Sequence, residues 1–306
     1  MDITFLTYKN IFSLFCSKSK ILQKTNKKIL KSYVILINNT QIEVIRMPKI
    51  GIIGGSGIYN IQGLKLIEEI SINTPYGAPS YSILESDNGS KFAFLNRHGI
   101  DHNIAPHMIN YRANICGFKE IGVTKIISIC AVGGINKTYI PGDIVIPDQI
   151  IDVTSDRVKT FYDNPPLYHV DFSNPFCPQL REYFINSASK IDHPIHKVGT
   201  YICTNGPRLE SSAEIKYYSI IGADLVGMTG MPETILAREL ELCYASIAVI
   251  TNFAAGILEQ PLTVKEVIDT MAQSSKRLNI LLKEILLKVD DSVPCSCNSA
   301  LKEASF

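Results

Sequence analysis

The 306-residue chain has no tryptophan, and only 19% of its residues are charged, for a formal net charge of +1. That balance leaves no electrostatic footprint for nucleic acid or for a membrane surface, so neither is expected as a partner. No apolar run approaches the ~20 residues that a bilayer-spanning helix needs. No C-x-x-C pair and no G-x-x-x-x-G-K-[ST] segment occurs, which excludes a thioredoxin-type redox motif and a P-loop. A dinucleotide fingerprint is missing too. In GIIGGSGIYN, a G-x-G starting at Gly55 requires glycine or alanine at position 60, which is Asn60.

What is present is a globular composition. Hydrophobic residues make up 46% of the chain, which excludes a mostly disordered protein, and 19 glycines and 15 prolines exclude collagen-like or low-complexity sequence. The length accommodates one large domain or two small ones. Charge is unevenly spread. Residues 1–48 hold eight basic residues against Asp2 and Glu43, giving +6, so the remainder carries −5. This basic stretch has no persistent helical or strand period, and its FLTY and IFSLF segments are interrupted by Lys9. Residues 1–46 are therefore expected to be a dispensable extension, with Met47 as the working start; a targeting peptide is the competing reading. Residues 47–289 form the expected folded domain, and the polar stretch 290–306 is expected to be a flexible tail. The eight cysteines are scattered singly and several sit in apolar runs. Buried reduced thiols in a cytoplasmic protein are expected, with Cys295 and Cys297 incidental in the tail.

From residue 49 onward, short β-rich runs alternate with helical ones. Strands are expected at 49–54, 91–96, 125–130, 143–147, 199–203, 224–227 and 244–251. Helices are expected in HMINYRANICGFKEIG with Gly122 as its stop, in PETILARELEL with Pro232 in its first turn, and over 264–289. The last carries a stripe of Val264, Val267, Ile268, Met271, Leu278, Leu281, Leu282 and Ile285. This alternation predicts an α/β domain around a largely parallel or mixed sheet. A single domain with a central mixed β-sheet flanked by helices is the form expected once the motifs below are counted.

Polar and small residues recur at the ends of these strands, where ligands collect in open α/β sheets. Gly54, Gly55 and Gly57 suit a tight turn or a backbone anion site, and the Ser56 hydroxyl adds a donor. Arg97 and His98 end the KFAFLN strand, and a guanidinium fork matches phosphate. His98, His102 and His107 are poorly spaced for a metal, since Gly99 and Pro106 interrupt them and no nearby cysteine or carboxylate set accompanies them. Further candidates are the ICAVGG strand end, Glu210 before a helix that Ser211 and Ser212 can cap, the Met228-Thr229-Gly230 turn, and Asn252 ending an apolar strand. Each has a bland alternative as a turn, a cap or a core residue.

Taken in order, GIIGGSG, NRHG, HMINYRAN, PGDIVIPDQIID, GPRLES, GMTGMPE and ITN resemble the trimeric purine nucleoside phosphorylase and 5′-methylthioadenosine phosphorylase family, over about residues 47 to 288. The resemblance implies reversible phosphorolysis, in which phosphate attacks C1′ and releases a free purine and a ribose 1-phosphate. It implies a homotrimer with sites at subunit interfaces, phosphate as co-substrate, and neither metal nor organic cofactor. It places phosphate on Ser56, Arg97, His98, the Cys130–Ala131 backbone and Thr229. It places Met228 under the ribose, Leu209 beside the base, Glu210 and Asn252 on the base, and His169 from a neighbouring subunit near the 5′ substituent. Arg97→Ala is then expected to lose phosphate affinity while keeping the fold.

Two positions bear on the base. Members that cleave 6-aminopurines carry Asp where this chain has Asn252, and usually a second Asp where it has Ala254. An amide can donate to O6 or N7 of a 6-oxopurine, and Glu210 can accept from its N1–H. The alternative is that Glu210 caps its helix and Asn252 rotates to accept adenine. RHGxxHxIxPHxxNYRAN and GMTGMPE resemble the methylthio-nucleoside branch, so the combination points to S-methyl-5′-thioinosine. Methylthioadenosine, inosine or guanosine are the alternative substrates, and a nucleoside-binding regulatory module without turnover is the non-enzymatic one.

Overall fold

The computed structural model describes residues 33–38, 41–58, 61–193, 195–259, 261–290 and 293–305. Strands β1 (Tyr33–Asn38) and β2 (Gln41–Arg46) pair with each other, antiparallel, in a two-stranded sheet of their own. The extension thus contains a hairpin that its composition did not reveal, and residues 1–32 lie outside the described residues.

The run IGIIG forms β3 (Ile50–Gly54), buried at every position, as a strand covered on both faces must be. It is followed by the antiparallel pair β4 (Leu64–Ser71) and β5 (Ser80–Ser86), then by β6 (Lys91–Asn96). Helix α1 (Tyr111–Glu120) is capped by Asn110, whose side chain accepts from the Ala113 amide, and is stopped at Gly122, where φ is +87°. Next come β7 (Lys125–Gly134), β8 (Ile144–Val145), β9 (Gln149–Asp152), α2 (Pro178–Ser187), β10 (Ile195–His196) and β11 (Thr200–Cys203). The chain ends through α3 (Ser212–Ile220), β12 (Leu225–Gly227), α4 (Gly230–Glu239), β13 (Cys243–Phe253) and α5 (Val264–Lys288).

All seven expected strands are present. Eleven strands form one mixed sheet whose main path runs β10-β8-β13-β7-β3-β6-β5-β4, while β11 joins β12 and β9, and β12 joins β7. Its centre, β13-β7-β3-β6, is parallel, and antiparallel pairs flank it. Side chains alternate between two cores. Ile52, Ile127 and Ala245 meet α2 and α5, whereas Ile53, Ile126 and Tyr244 meet α1 and α4. This is the predicted α/β architecture. Among the described residues, no helix is long and apolar enough to cross a membrane.

Two expectations need correction. The stripe on α5 is buried only from Met271 onward, because Val264 and Ile268 of its first turns remain 72% and 61% exposed. The tail was expected to be flexible, yet its described residues 293–305 pack on the domain. Residues Ser296–Ser299 form a 3₁₀ turn and Cys297 is buried. Asn298 Nδ2 donates to the Glu241 carbonyl at 3.0 Å, and the His169 amide donates to the Ala304 carbonyl at 2.8 Å. Hydrogen bonds and sulfur packing hold this segment, and neither leaves an apolar period in the sequence.

Candidate active site

A cleft of about 780 Å³, partly open to solvent, lies at the C-terminal ends of β3, β6, β7 and β13. Ser56, Arg97, His98, Cys130, Ala131, Leu209, Glu210, Met228, Thr229 and Asn252 all line it. Of the sequence-predicted residues only His169 does not, and it is exposed on the segment tied to the tail.

The β3 turn approaches its neighbours too closely for a side chain at Gly55. A Cβ there would lie 2.5 Å from the Ile129 carbonyl oxygen and 2.8 Å from Arg97 Nη1. That absence of a side chain lets Ser56 follow directly beside the β6 end, where its Oγ sits 3.4 Å from His102 Nε2.

Arg97 differs from the expectation in an instructive way. It is 2% exposed, and its fork is already engaged by a carboxylate. Arg97 Nε and Nη2 donate to the two oxygens of Glu233 at 2.6 and 3.0 Å; Nη2 also donates to Ser128 Oγ at 2.6 Å, and Nη1 to the Ile129 carbonyl at 2.9 Å. Only one Nη1 hydrogen is left for a ligand. Tyr244 adds an O–H bond to Glu233 Oε2 at 2.8 Å. Burial opposes the guanidinium charge, but the Glu233 carboxylate outweighs it and holds Arg97 above its ordinary range. Sequence reasoning missed Glu233, 136 positions away. Its one signal was an acidic residue in the otherwise apolar first turn of α4. The pair also overturns Arg97→Ala as a clean test of phosphate affinity, since the variant would strand a buried carboxylate.

His98 lies beside this pair. Its Nδ1 faces the Ile104 carbonyl at 2.9 Å, and because a carbonyl only accepts, Nδ1 carries a hydrogen. Burial, aided by the nearby Arg97 charge, pushes the imidazole down to about 4, against the opposing Ile104 bond. His98 is therefore neutral near pH 7, with a bare Nε2. Burial likewise pushes the Cys130 thiol up to about 12, so it is no nucleophile.

Thr229 is the N-cap residue of α4, and its side chain makes no capping bond to the helix. Tyr201 Oη instead receives the Thr229 and Gly230 amides, each at 3.4 Å. Arg157, unremarked in the sequence, clamps this turn from outside. Its Nη1 donates to the Met228 and Met231 carbonyls at 2.8 and 2.5 Å, and its Nη2 to the Asn205 carbonyl at 2.8 Å. It thereby fixes the Met228 turn against the loop that leads to Leu209 and Glu210.

The remaining polar groups come from β13 and the loop before α3. Pairing with β7 slips between Ile250 and Asn252, so Thr251 is the extra residue of a bulge, and such bulges re-aim the residue that follows. Asn252 Nδ2 donates to the Phe253 carbonyl at 2.8 Å, and Oδ1 accepts from Thr251 Oγ1 at 2.8 Å. The carbonyl partner fixes which way the amide points. One Nδ2 hydrogen and one Oδ1 lone pair stay available. Glu210 does not cap α3: Ser211 does, in a capping box with Glu214. Thr204 Oγ1 instead donates to Glu210 Oε1 at 2.8 Å, leaving Oε2 for a ligand. Ala254, buried and lining the cleft, supplies no second carboxylate.

A family model described as the phosphorylase superfamily matches residues 49–287. The chain belongs to that superfamily. Over 261 residues it is 51% identical to a probable S-methyl-5′-thioinosine phosphorylase of Thermodesulfovibrio yellowstonii, covering 84% of this chain and 97% of that one. It is 47% identical over 266 residues to a probable 6-oxopurine nucleoside phosphorylase of Thermococcus kodakarensis, covering 85% and 99%. A methylthioadenosine phosphorylase structure from an antarctic soil metagenomic library superposes with a TM-score of 0.79 at 35% identity, covering 85% of this chain and 93% of that chain. This member of the superfamily is thus an enzyme with the nucleoside phosphorylase fold, as its motifs imply.

Proposed function

We propose that the chain catalyses phosphorolysis of a 6-oxopurine nucleoside, S-methyl-5′-thioinosine foremost, giving the free base and 5-methylthioribose 1-phosphate. The observation that carries this is the union in one cleft of two sets of polar groups. Ser56, Arg97, Thr229 and the Cys130–Ala131 backbone can donate to an oxyanion, and the bare Nε2 of His98 can accept the O–H of a monohydrogen phosphate. Asn252 and Glu210 suit a base with an oxo group and an N1–H. Phosphate is itself the nucleophile, so no side chain forms a covalent bond. The oxocarbenium-like transition state gains from a firmly held anion below C1′. Charge accumulating on the departing base is relieved by the Asn252 Nδ2–H, which suits N7 or O6, while Glu210 Oε2 accepts from N1–H. Met228, held by Arg157 through its carbonyl, supports the ribose, and Leu209 flanks the base.

The homotrimer implied by the motifs gains support from His169. Its exposed position outside its own cleft is what a residue serving a neighbouring subunit's 5′ pocket requires. Metal and organic cofactors play no part in this scheme.

Measuring kcat/KM for S-methyl-5′-thioinosine, S-methyl-5′-thioadenosine, inosine and guanosine tests the reading. The methylthioinosine value is expected to be highest and to require phosphate. A clear preference for methylthioadenosine would defeat the base assignment, and turnover without phosphate would make the enzyme a nucleosidase.

A further inference from the structure

Four of the cysteines meet on the face of the sheet that carries α2 and α5. Cys177, Cys243, Cys295 and Cys297 place their sulfur atoms all within 4.8 Å of one another, with Cys177 and Cys295 at 3.5 Å. A zinc ion with Zn–S bonds of about 2.3 Å sets tetrahedral sulfur–sulfur edges of about 3.8 Å, so this spacing is that of a thiolate cage. The surroundings suit anionic sulfur. Arg238 Nη1 donates to Cys297 Sγ at 3.3 Å, and the Leu180 amide donates to Cys177 Sγ at 3.5 Å, from the first turn of α2. Cys177, Cys243 and Cys297 are buried, and the half-buried Cys295 provides the way in.

We propose that these four cysteines form a structural zinc site that fastens the C-terminal tail to the domain. Binding is an exchange without redox change: one Zn²⁺ enters, four S–Zn bonds form, and the thiol protons leave to solvent. The site then bears two negative charges, which Arg238 partly offsets. Three distant pieces of chain are joined: the N-cap of α2, the first residue of β13, and the tail. Arg238 also donates to the Asp171 and Asn174 carbonyls at 3.2 and 3.0 Å, and the tail accepts from the His169 amide, so the site also braces the 169–174 segment. The pairwise geometry is closed on four sulfurs, which leaves no position for a substrate and makes the role structural. The earlier expectation that Cys295 and Cys297 are incidental is replaced.

The test uses the full chain, reduced and stripped of metal, then given Zn²⁺ alone. One zinc per chain by elemental analysis is expected, with these four thiols shielded from alkylation until a chelator is added. Co²⁺ in its place should give the thiolate-to-cobalt charge-transfer absorption of a tetrahedral site. Cys295→Ser, at a half-buried position, should keep the fold and weaken zinc binding at least tenfold. Failure of the reduced chain to retain Zn²⁺ would overturn the proposal. So would two disulfides among these four cysteines in protein purified without reductant. None of these readouts involves the cleft, so they stand apart from the phosphorolysis assay.

Discussion

Glu233→Ala is expected to be the most damaging single substitution around the cleft, because Glu233, itself outside the lining, holds the cleft-lining Arg97. The Arg97 and Glu233 side chains are only 1% and 2% exposed, and the bidentate pair is completed by Ser128 and Tyr244. Removing the carboxylate leaves a guanidinium that cannot shed its proton in an apolar core. Losses for breaking such a pair run to about 3–5 kcal/mol. Urea unfolding should show a fall of that order in ΔG, with phosphorolysis lost in the same variant. The double variant Arg97→Leu with Glu233→Leu separates the two effects. It replaces the pair with apolar volume, so most of the stability should return while turnover does not. If Glu233→Ala unfolds at the wild-type urea midpoint, the pair does not hold the site.

Asn252→Asp is expected to move base preference by the larger margin of any conservative change. The Asn252 amide donates to the Phe253 carbonyl and keeps one hydrogen for the base. A carboxylate at that position can donate to neither. It also turns an oxygen toward the oxo group of the preferred purine, while suiting the amino group of adenine. An unmet buried hydrogen bond costs about 1–3 kcal/mol, which is roughly 5- to 150-fold in kcat/KM. Methylthioinosine turnover should fall by that factor, and the ratio of methylthioadenosine to methylthioinosine should rise. An unchanged ratio would show that residue 252 does not read the base.

The parts of this protein that were legible in the sequence are those that repeat or sit next to one another. Buried parallel strands announce themselves as runs such as KIGIIG and KIISIC, and Gly122 and Ser211 mark helix ends by local chemistry. The edge pair β4 and β5 was not visible, because LKLIEEIS faces solvent at most positions and contains a register slip between Leu66 and Glu68. Nor was α2, whose ten residues bury only Leu180, Phe184 and Ser187. Within the site, the polar lining residues could be proposed from motifs near strand ends, whereas Leu262 and Val267, which line the cleft from the start of α5 and the loop before it, could not. What those motifs cannot carry is partnership across the fold. Glu233 meets Arg97, Arg157 meets the Met228 turn, and Cys177 meets Cys295 only because the sheet brings distant segments together. The bulge at Thr251 is similarly silent, since VITN reads as uninterrupted strand.

The hydrogen that Ile104 holds on His98 Nδ1 has a consequence for which anion the cleft prefers. With Arg97 already balanced by Glu233, the pocket offers an incoming oxyanion little uncompensated positive charge. Neutral His98 turns a lone pair, not a proton, toward any ligand. Monohydrogen phosphate carries an O–H that can fill that lone pair, whereas sulfate near neutral pH has none to give. Phosphorolysis is therefore expected to be only weakly inhibited by sulfate, a tetrahedral anion of equal charge that lacks this proton. Strong competition by sulfate against phosphate would show that the carbonyl of Ile104, six residues further along the chain, sets no such preference.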